Sequence, residues 1–588
     1  MNICYLPMKR FLFFAIIMSS LFSLAHAKGN GNTVKIKIIQ TSDVHGNFFP
    51  YDFINRKPWD GSLARVHTYV QTQRETYGEN LILLDNGDIL QGQPSVYYYN
   101  FIDTTSTHLC AEIMNFMGYD AGNMGNHDIE TGHKVYDRWV SECNFPILGA
   151  NIISNSTQEP YLPPYKVIER SGVKIAILGM VTPAIPAWLA ENLWSGLHFE
   201  DMEECATKWV NIIREKENPD ILVGLFHSGR DASRKTGDWN ENASLEVAKN
   251  IPGFDLVLMG HDHQLFYQDV KDNNGRIVHT ANPGGNANYL SDITVTVTKG
   301  KKKNSKKQIN IDSKVVSLKE IQPSGAFLAH FGKQYVNVQK FVAQKIGSIT
   351  ESLDSRQSFF GPSAFTDFIH TLQLGISGAE ISFAAPLSFD ATIKRGNIFM
   401  SDMFNLYKYE NMLYVMMLSG QEIKDYLEFS YHLWTNQMSS PDDHLLLFKE
   451  QPASSDKSRA MFANPSYNFD SAAGIIYTVD VTKPYGEKIS IKGMANGAPF
   501  SLKQSYRVAL NSYRGNGGGE HLTSGAGIPQ ELLSTRIIYA SDKDLRYYMM
   551  DYIRKQGTIT PKILYHWQFL PHHWVDKAVP NDYKLLFP

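Results

Sequence analysis

Short apolar runs separated by polar stretches organise the first half of the chain. Val34–Ile39, Leu81–Leu84, Lys174–Leu178, Ile221–Leu225, Leu256–Met259 and Ile277–Thr280 are rich in Val, Ile and Leu. Their length and continuity are those of strands covered on both faces. Polar helical stretches such as Glu203–Lys216 lie between them, so residues 34–320 are expected to form an α/β layered domain. The run from Gly300 to Lys307 interrupts Ile293–Val297 and Gln308–Ile311 and is expected as a solvated hairpin tip. Ala326–Ile346 has no proline and predicts one continuous helix, placed as a link over residues 323–348. A second domain, 350–588, is expected to carry strands at Glu380–Phe383, Met412–Leu418, Gly474–Asp480 and Tyr506–Leu510, with a helix from Gly420 through Leu427. No solenoid repeat is present.

Residues 1–27 have a different character. Lys9 and Arg10 precede the apolar run Phe11–Phe22, and Ala25-His26-Ala27 closes it with small residues, the pattern of an export signal cleaved after Ala27. No Cys follows that run directly, so no lipid anchor is expected, and no later stretch is apolar enough for stable membrane insertion. The expected destination is the periplasm. The formal net charge of −3 becomes about −5 without Lys9 and Arg10, which argues against a nucleic-acid polymer as partner. Cys110, Cys143 and Cys205 remain after cleavage. None has a second Cys or a His at metal-clip spacing, so they are expected to be structural, with one disulfide pair left open.

The chemistry sits at the ends of the predicted strands. Asp43-Val44-His45 follows the first, Gly87-Asp88 the second, Gly125-Asn126-His127-Asp128 lies farther on, and His227 and Gly260-His261-Asp262-His263 follow later strands. Open α/β sheets gather ligand groups at the C-terminal edge of their strands. Carboxylates, an asparagine carbonyl and several imidazoles converging there suit a pair of borderline divalent ions. Any one segment recurs by chance; all of them in this order are a specific signal.

These residues resemble the calcineurin-like metallophosphoesterases, and more narrowly the secreted bacterial family of 5′-nucleotidases and 2′,3′-cyclic-nucleotide 2′-phosphodiesterase/3′-nucleotidases, over nearly the whole mature chain. The resemblance implies a four-layer α/β sandwich followed by an α/β substrate-binding domain. It implies that Asp43, His45 and His263 hold one ion, that Asn126, His227 and His261 hold the other, and that Asp88 bridges them. The ions would be zinc, manganese or similar. Some members have Gln in place of His263, and imidazole is a compatible ligand there. His127 would act on the phosphoryl group or the leaving oxygen, oriented by an acid; the family often has Asp where this chain has Glu130, and Asp128 is the neighbouring alternative.

The second half carries further marks of the same family. Tyr407–Asn411 and the glycine-rich Asn511–Gly519 resemble loops in which two aromatic rings sandwich a nucleobase. The matching residues are Tyr409 and Tyr513, with Asn411 able to meet the base edge. A glycine-rich, arginine-containing segment typical of the 5′-nucleotidases is replaced by Ala384–Asp390, which has no arginine and resembles the cyclic-phosphodiesterase branch. Lys394 or Arg395 could still reach a phosphate. The expectation is a monomeric, secreted two-metal phosphohydrolase of small nucleotides. A 5′-nucleotidase or UDP-sugar hydrolase is the enzymatic alternative, and a nucleotide-binding surface protein the non-enzymatic one.

Overall fold

The computed structural model describes residues 33–298, 307–449 and 460–588, apart from 232–235 and 237–238. The expected export segment 1–27 and all of the lysine-rich run except Lys307 lie outside the described residues. In the first half two six-stranded sheets lie face to face. One has the order Gln308–Ser317, Tyr289–Thr298, Thr33–Thr41, Leu81–Asp85, Ala121–Asn123, Ile147–Leu148. The other has the order Leu265–Lys271, Ile277–Pro283, Leu256–Met259, Ile221–His227, Val173–Val181, Tyr165–Arg170. Successive side chains of a strand point to opposite faces, and here both faces are covered. Ile36 and Ile38 enter the space between the sheets and pack with Ile82, Leu84, Ile175, Val223 and Leu258. Ile39 and Leu83 face the opposite way, toward Val66 and Val70 of the helix Leu63–Tyr77. Ala176 and Leu222 of the second sheet meet Cys205, Val210 and Ile213 of the helix Met202–Lys216. The result is four layers, and double coverage explains why the strands read as unbroken apolar runs.

In the second half a five-stranded sheet has the order Ser471–Ala473, Ile381–Ala384, Ser505–Asn511, Met412–Ser419, Ile537–Asp544. The helix after Met412–Ser419 starts with a capping box, Glu422 N–H to Ser419 Oγ at 3.2 Å and Ser419 N–H to Glu422 Oε2 at 2.7 Å. It continues past Leu427 to Trp434, whose ring stacks on Tyr431 at 5.0 Å and on Phe469 at 5.5 Å. Cys110, Cys143 and Cys205 are unpaired, and burial pushes all three thiols up.

The linking helix departs from expectation. Residues 323–348 hold two helices, Gly325–His330 and Gly332–Val342, and then the start of a strand, Lys345–Ile349. Phe331, at φ −96° and ψ 14°, ends the first helix just before Gly332, a residue that weakens a helix interior. Lys345–Ile349 leaves the helix because it pairs with Gly396–Phe399 and with Thr558–Ile559, partners far away in sequence. The second short helix is sandwiched between the halves: the Tyr97 ring lies 6.2 Å from Phe341 of that helix and 5.3 Å from Phe404 of the second half. Phe341→Ala should therefore cost about 3–5 kcal/mol of stability in urea denaturation, the usual loss for a buried Phe. A loss under about 0.5 kcal/mol would show that the link is not part of a shared core.

Candidate metal centre

Parallel pairing brings the C-terminal ends of the central strands to one edge. Asp43 and His45 follow Thr33–Thr41, Asp88 follows Leu81–Asp85, His227 ends its strand, and His261 and His263 follow Leu256–Met259. The turns that carry them are tight. Asp43, His45, Asp88, His261 and His263 all have φ between 49° and 71°, left-handed backbone that ordinary side chains avoid, and non-glycine residues there cluster at functional sites. Gly125 and Gly260 complete the packing. A Cβ on Gly125 would lie 2.3 Å from the amide nitrogen of Asp88, and one on Gly260 would lie 2.2 Å from Ser42 Oγ.

Two donor groups result. In one, His263 Nε2 lies 3.0 Å from His45 Nε2 and 3.3 Å from Asp43 Oδ1. In the other, His227 Nε2 lies 3.1 Å from Asp88 Oδ2 and 3.1 Å from Asn126 Oδ1, and His261 Nδ1 lies 2.8 Å from that same Asn126 oxygen. Asp43, His45 and His263 have donor atoms within 4.8 Å of one another, as do Asp88, His227 and His261. Four ligands held tetrahedrally at ~2.0–2.1 Å have their donor atoms roughly 3.3 Å apart, so both groups fit a divalent ion.

The outward-facing ring nitrogens are fixed by partners that sequence reading missed. His45 Nδ1 meets the Gln91 carbonyl at 3.1 Å, His227 Nδ1 the Asn86 carbonyl at 2.6 Å, and His261 Nε2 the Glu241 carboxylate at 2.9 Å. Donating one N–H outward leaves the other nitrogen as a lone-pair donor facing the site. Asn86 lies in the Asp-Asn-Gly-Asp turn and was open to suspicion; nothing about the spacing of Glu241 points to His261.

Burial alone would push the Asp43 and Asp88 carboxyls up. Instead the His263 and His227 imidazoles hold Asp43 at about 2, and His227, His127 and His45 hold Asp88 well below the carboxylate range. Burial lowers His45 to about 3, leaving it neutral. Burial also opposes charge on His227, but the Asp88 carboxylate outweighs it and lifts this imidazole to about 10.

His127 belongs to neither donor group. Its Nδ1 is 2.5 Å from Glu130 Oε2, and the residue lines the cleft beside Asn126 and His261. Burial works against its charged form, but Asp88 and Glu130 raise it to about 9. Asp128 is committed elsewhere: its carboxylate accepts the N–H groups of Asp88, Ile89 and Leu90, each at 2.9 Å, and of Gly125 at 2.8 Å.

A cleft of about 440 Å³ runs from Asn126, His127 and His261 in the first half to Tyr409, Asn411, Tyr467 and Tyr513 in the second. Tyr467, another residue not foreseen, stands perpendicular to Tyr409 at 6.5 Å and to Tyr513 at 6.2 Å, so the three rings form one cluster. Trp188 lines the same cleft, stacked 5.7 Å from His261. Leu387 represents the segment that lacks arginine; Lys394 and Arg395 are exposed and not among the lining residues. The glycine run has a steric reason beyond ligand approach, since a Cβ on Gly518 would lie 2.6 Å from the Tyr513 ring.

Residues 36–265 match the calcineurin-like phosphoesterase family, and residues 345–524 match the 5′-nucleotidase C-terminal domain. The chain belongs to the calcineurin-like metallophosphoesterases that carry a 5′-nucleotidase C-terminal domain, and it is a metal-dependent phosphoric ester hydrolase. It is 27% identical to the 2′,3′-cyclic-nucleotide 2′-phosphodiesterase/3′-nucleotidase of Haemophilus influenzae, over 97% of this chain and 93% of that one. It is 29% identical to the trifunctional nucleotide phosphoesterase YfkN of Bacillus subtilis, but spans only 39% of that protein. A Staphylococcus aureus structure described as a candidate 5′-nucleotidase shares the fold, with a TM-score of 0.75 at 19% identity, over 91% of this chain and 99% of that one. Calcineurin-like phosphoesterases use a dinuclear metal centre, and the two donor groups match that requirement.

A ligating imidazole must be neutral, while His227 in the ion-free protein is protonated up to about pH 10. Metal binding near neutral pH should therefore release protons, and affinity should weaken about tenfold per pH unit for each proton released as pH falls. Calorimetric titration of chelator-treated protein with Zn²⁺, in buffers of different ionisation heat, measures this. Binding without proton release would overturn the expectation that His227 gives up a proton on becoming a ligand.

Proposed function

We propose that the chain is an exported 2′,3′-cyclic-nucleotide 2′-phosphodiesterase/3′-nucleotidase that uses two zinc, manganese or similar ions, with Asp88 between them. The observation that carries this reading is the single cleft in which His127 and ligand candidates Asn126 and His261 face three tyrosines of the other half. The phosphate end of a small nucleotide fits the first set and its base the second. Whole-length likeness to curated enzymes of this activity supports the choice, as does the absence of arginine from Ala384–Asp390, the segment that brings Leu387 to the cleft. A 5′-nucleotidase relative from Vibrio cholerae, 24% identical over 70% of this chain, keeps 5′-nucleotidase activity as the second reading. Export is supported by the pattern of residues 1–27, and among the described residues no helix is long and apolar enough to cross a membrane.

When bound, the ions supply Lewis acidity for the phosphoryl oxygens and a water of lowered pKa. The chain's residues do the rest. Glu130 holds His127 Nδ1, which leaves the Nε2 proton of the imidazolium to pass to the departing 2′ oxygen as the P–O bond breaks. Hydrolysis of the ring yields a 3′-monoester, and a second round with the 3′ oxygen departing yields nucleoside and phosphate. Tyr409 and Tyr513 stack on the base, and Asn411 meets its edge.

Asp88→Asn should lose at least one ion and nearly all phosphate release, measured by elemental analysis beside turnover; full activity with both ions retained would sink the assignment. His127→Ala should keep both ions yet lower kcat by roughly 10²–10⁴-fold, with a smaller loss for Glu130→Gln. Loss of metal from the His127 variant would make it a ligand. The double variant Tyr409→Ala/Tyr513→Ala should lower kcat/KM for a cyclic nucleotide by roughly 10- to 10⁴-fold and spare bis-p-nitrophenyl phosphate, which has no base. Equal losses on both substrates would make the tyrosines structural.

A further inference from the structure

We infer that two buried arginines, Arg514 and Arg546, are positioning residues that hold the aromatic base clamp in its binding shape; the inference rests on reading Tyr409 and Tyr513 as that clamp. The tyrosines sit on irregular segments. Tyr409 lies between the helix Met400–Leu406 and the strand Met412–Ser419, Tyr467 lies in a single 3₁₀ turn, and Tyr513 lies in the one-turn helix Ser512–Gly515. Such segments have few main-chain bonds of their own, and rings that stack on a ligand need a fixed spacing.

Each arginine supplies the missing bonds at one part of the clamp. Arg546 is wholly buried and grips both sides of Tyr409. Its Nε donates to the Tyr407 carbonyl at 3.0 Å, Nη2 to the Lys408 carbonyl at 2.7 Å, and Nη1 to the Glu410 carboxylate at 2.7 Å. The guanidinium lies 4.2 Å from the Phe404 ring and 5.0 Å from Tyr97 of the first half, which ties this arm to the half that carries the metal centre. Arg514 is next to Tyr513 and 1% exposed. Its Nη2 donates to the Tyr467 carbonyl at 3.0 Å, and its Nη1 donates to the Gly518 carbonyl at 2.5 Å and to Asn468 Oδ1 at 3.3 Å. Nε and Nη2 also bind the Asp470 carboxylate, at 2.9 and 3.3 Å. A Cβ on Gly519 would lie 2.2 Å from Arg514 Nη1, so that glycine makes room for the guanidinium.

Fold stability alone does not account for this. A buried ion pair is often replaceable by apolar side chains without loss, whereas a planar fork of five N–H donors fixes direction. Here the donors not spent on Asp470 or Glu410 go to Tyr407, Lys408, Tyr467, Asn468 and Gly518, all of them in the clamp segments.

Lysine keeps the charge beside Asp470 or Glu410 but cannot reproduce the fork, so Arg514→Lys and Arg546→Lys are the test variants. With both ions loaded and metal content verified, the inhibition constant of adenosine is measured against hydrolysis of bis-p-nitrophenyl phosphate, alongside KM and kcat for 2′,3′-cyclic AMP. Each variant should weaken adenosine and raise KM for the cyclic nucleotide at least ~10-fold, about the worth of one stacking contact, with kcat changed less than KM. The Tyr409→Ala/Tyr513→Ala variant runs in parallel. If it weakens adenosine and the lysine variants do not, the arginines have no positioning role. If the tyrosine variant leaves adenosine binding intact, the clamp reading itself fails. Parallel losses on the base-free substrate and the nucleotide would make the arginines general fold residues and overturn the proposal. Should either lysine variant fail to fold, Arg514→Gln/Asp470→Asn and Arg546→Gln/Glu410→Gln, which remove both charges of a pair, are read by the same criteria.

Discussion

Asp88 is a carboxylate with 1% exposure, and much of the first half is arranged so that it can stay ionised there. An isolated buried charge is prohibitively costly, so its oxygens must be met by donors or by cations. One oxygen accepts the His127 N–H at 2.8 Å and the other faces His227 Nε2. Its loop is held in turn by Asp128, which takes the N–H groups of residues 88–90. Gly125 lets the two segments approach, and the left-handed turn at Asp88 aims the side chain. The sandwich beneath supplies rigidity by placing the strand ends in register. Removing Asp88 would leave imidazoles facing one another in a buried site without the anion that compensates them.

The donor groups lie in one half and the tyrosine cluster in the other, and the shared core joins them. Tyr97 follows shortly after the Asp88 loop and packs against both the linking helix and Phe404. The spacing between metal centre and tyrosines is thus set by packed side chains, with the linking helices only one part of the frame. On the proposed reading, a nucleotide bridging the cleft would meet surfaces already at a defined separation, so little of its binding energy would be spent on ordering them.

The two donor groups were legible because all their members except Asn126 stand where an apolar strand run stops and a short polar motif begins. Both the strand and the motif are local patterns. Glu130 was legible for a related reason: three residues along a helical turn bring its carboxylate to His127. What could not be read depends on tertiary neighbours. Glu241 reaches His261 from a loop, Tyr467 joins the clamp from a segment without periodicity, and Lys345–Ile349 became a strand only because distant partners pair with it. The break at Phe331–Gly332 rests on one glycine in a long proline-free run, a local signal too weak to end a helix without the packing around it.

The three described thiols have a consequence of their own. All are unpaired, and burial keeps them protonated. Such thiols neither exchange with disulfides nor offer the soft thiolates that capture stray zinc or copper. Among the described residues no disulfide ties the fold together, so a reducing agent should leave the packed core of both halves intact.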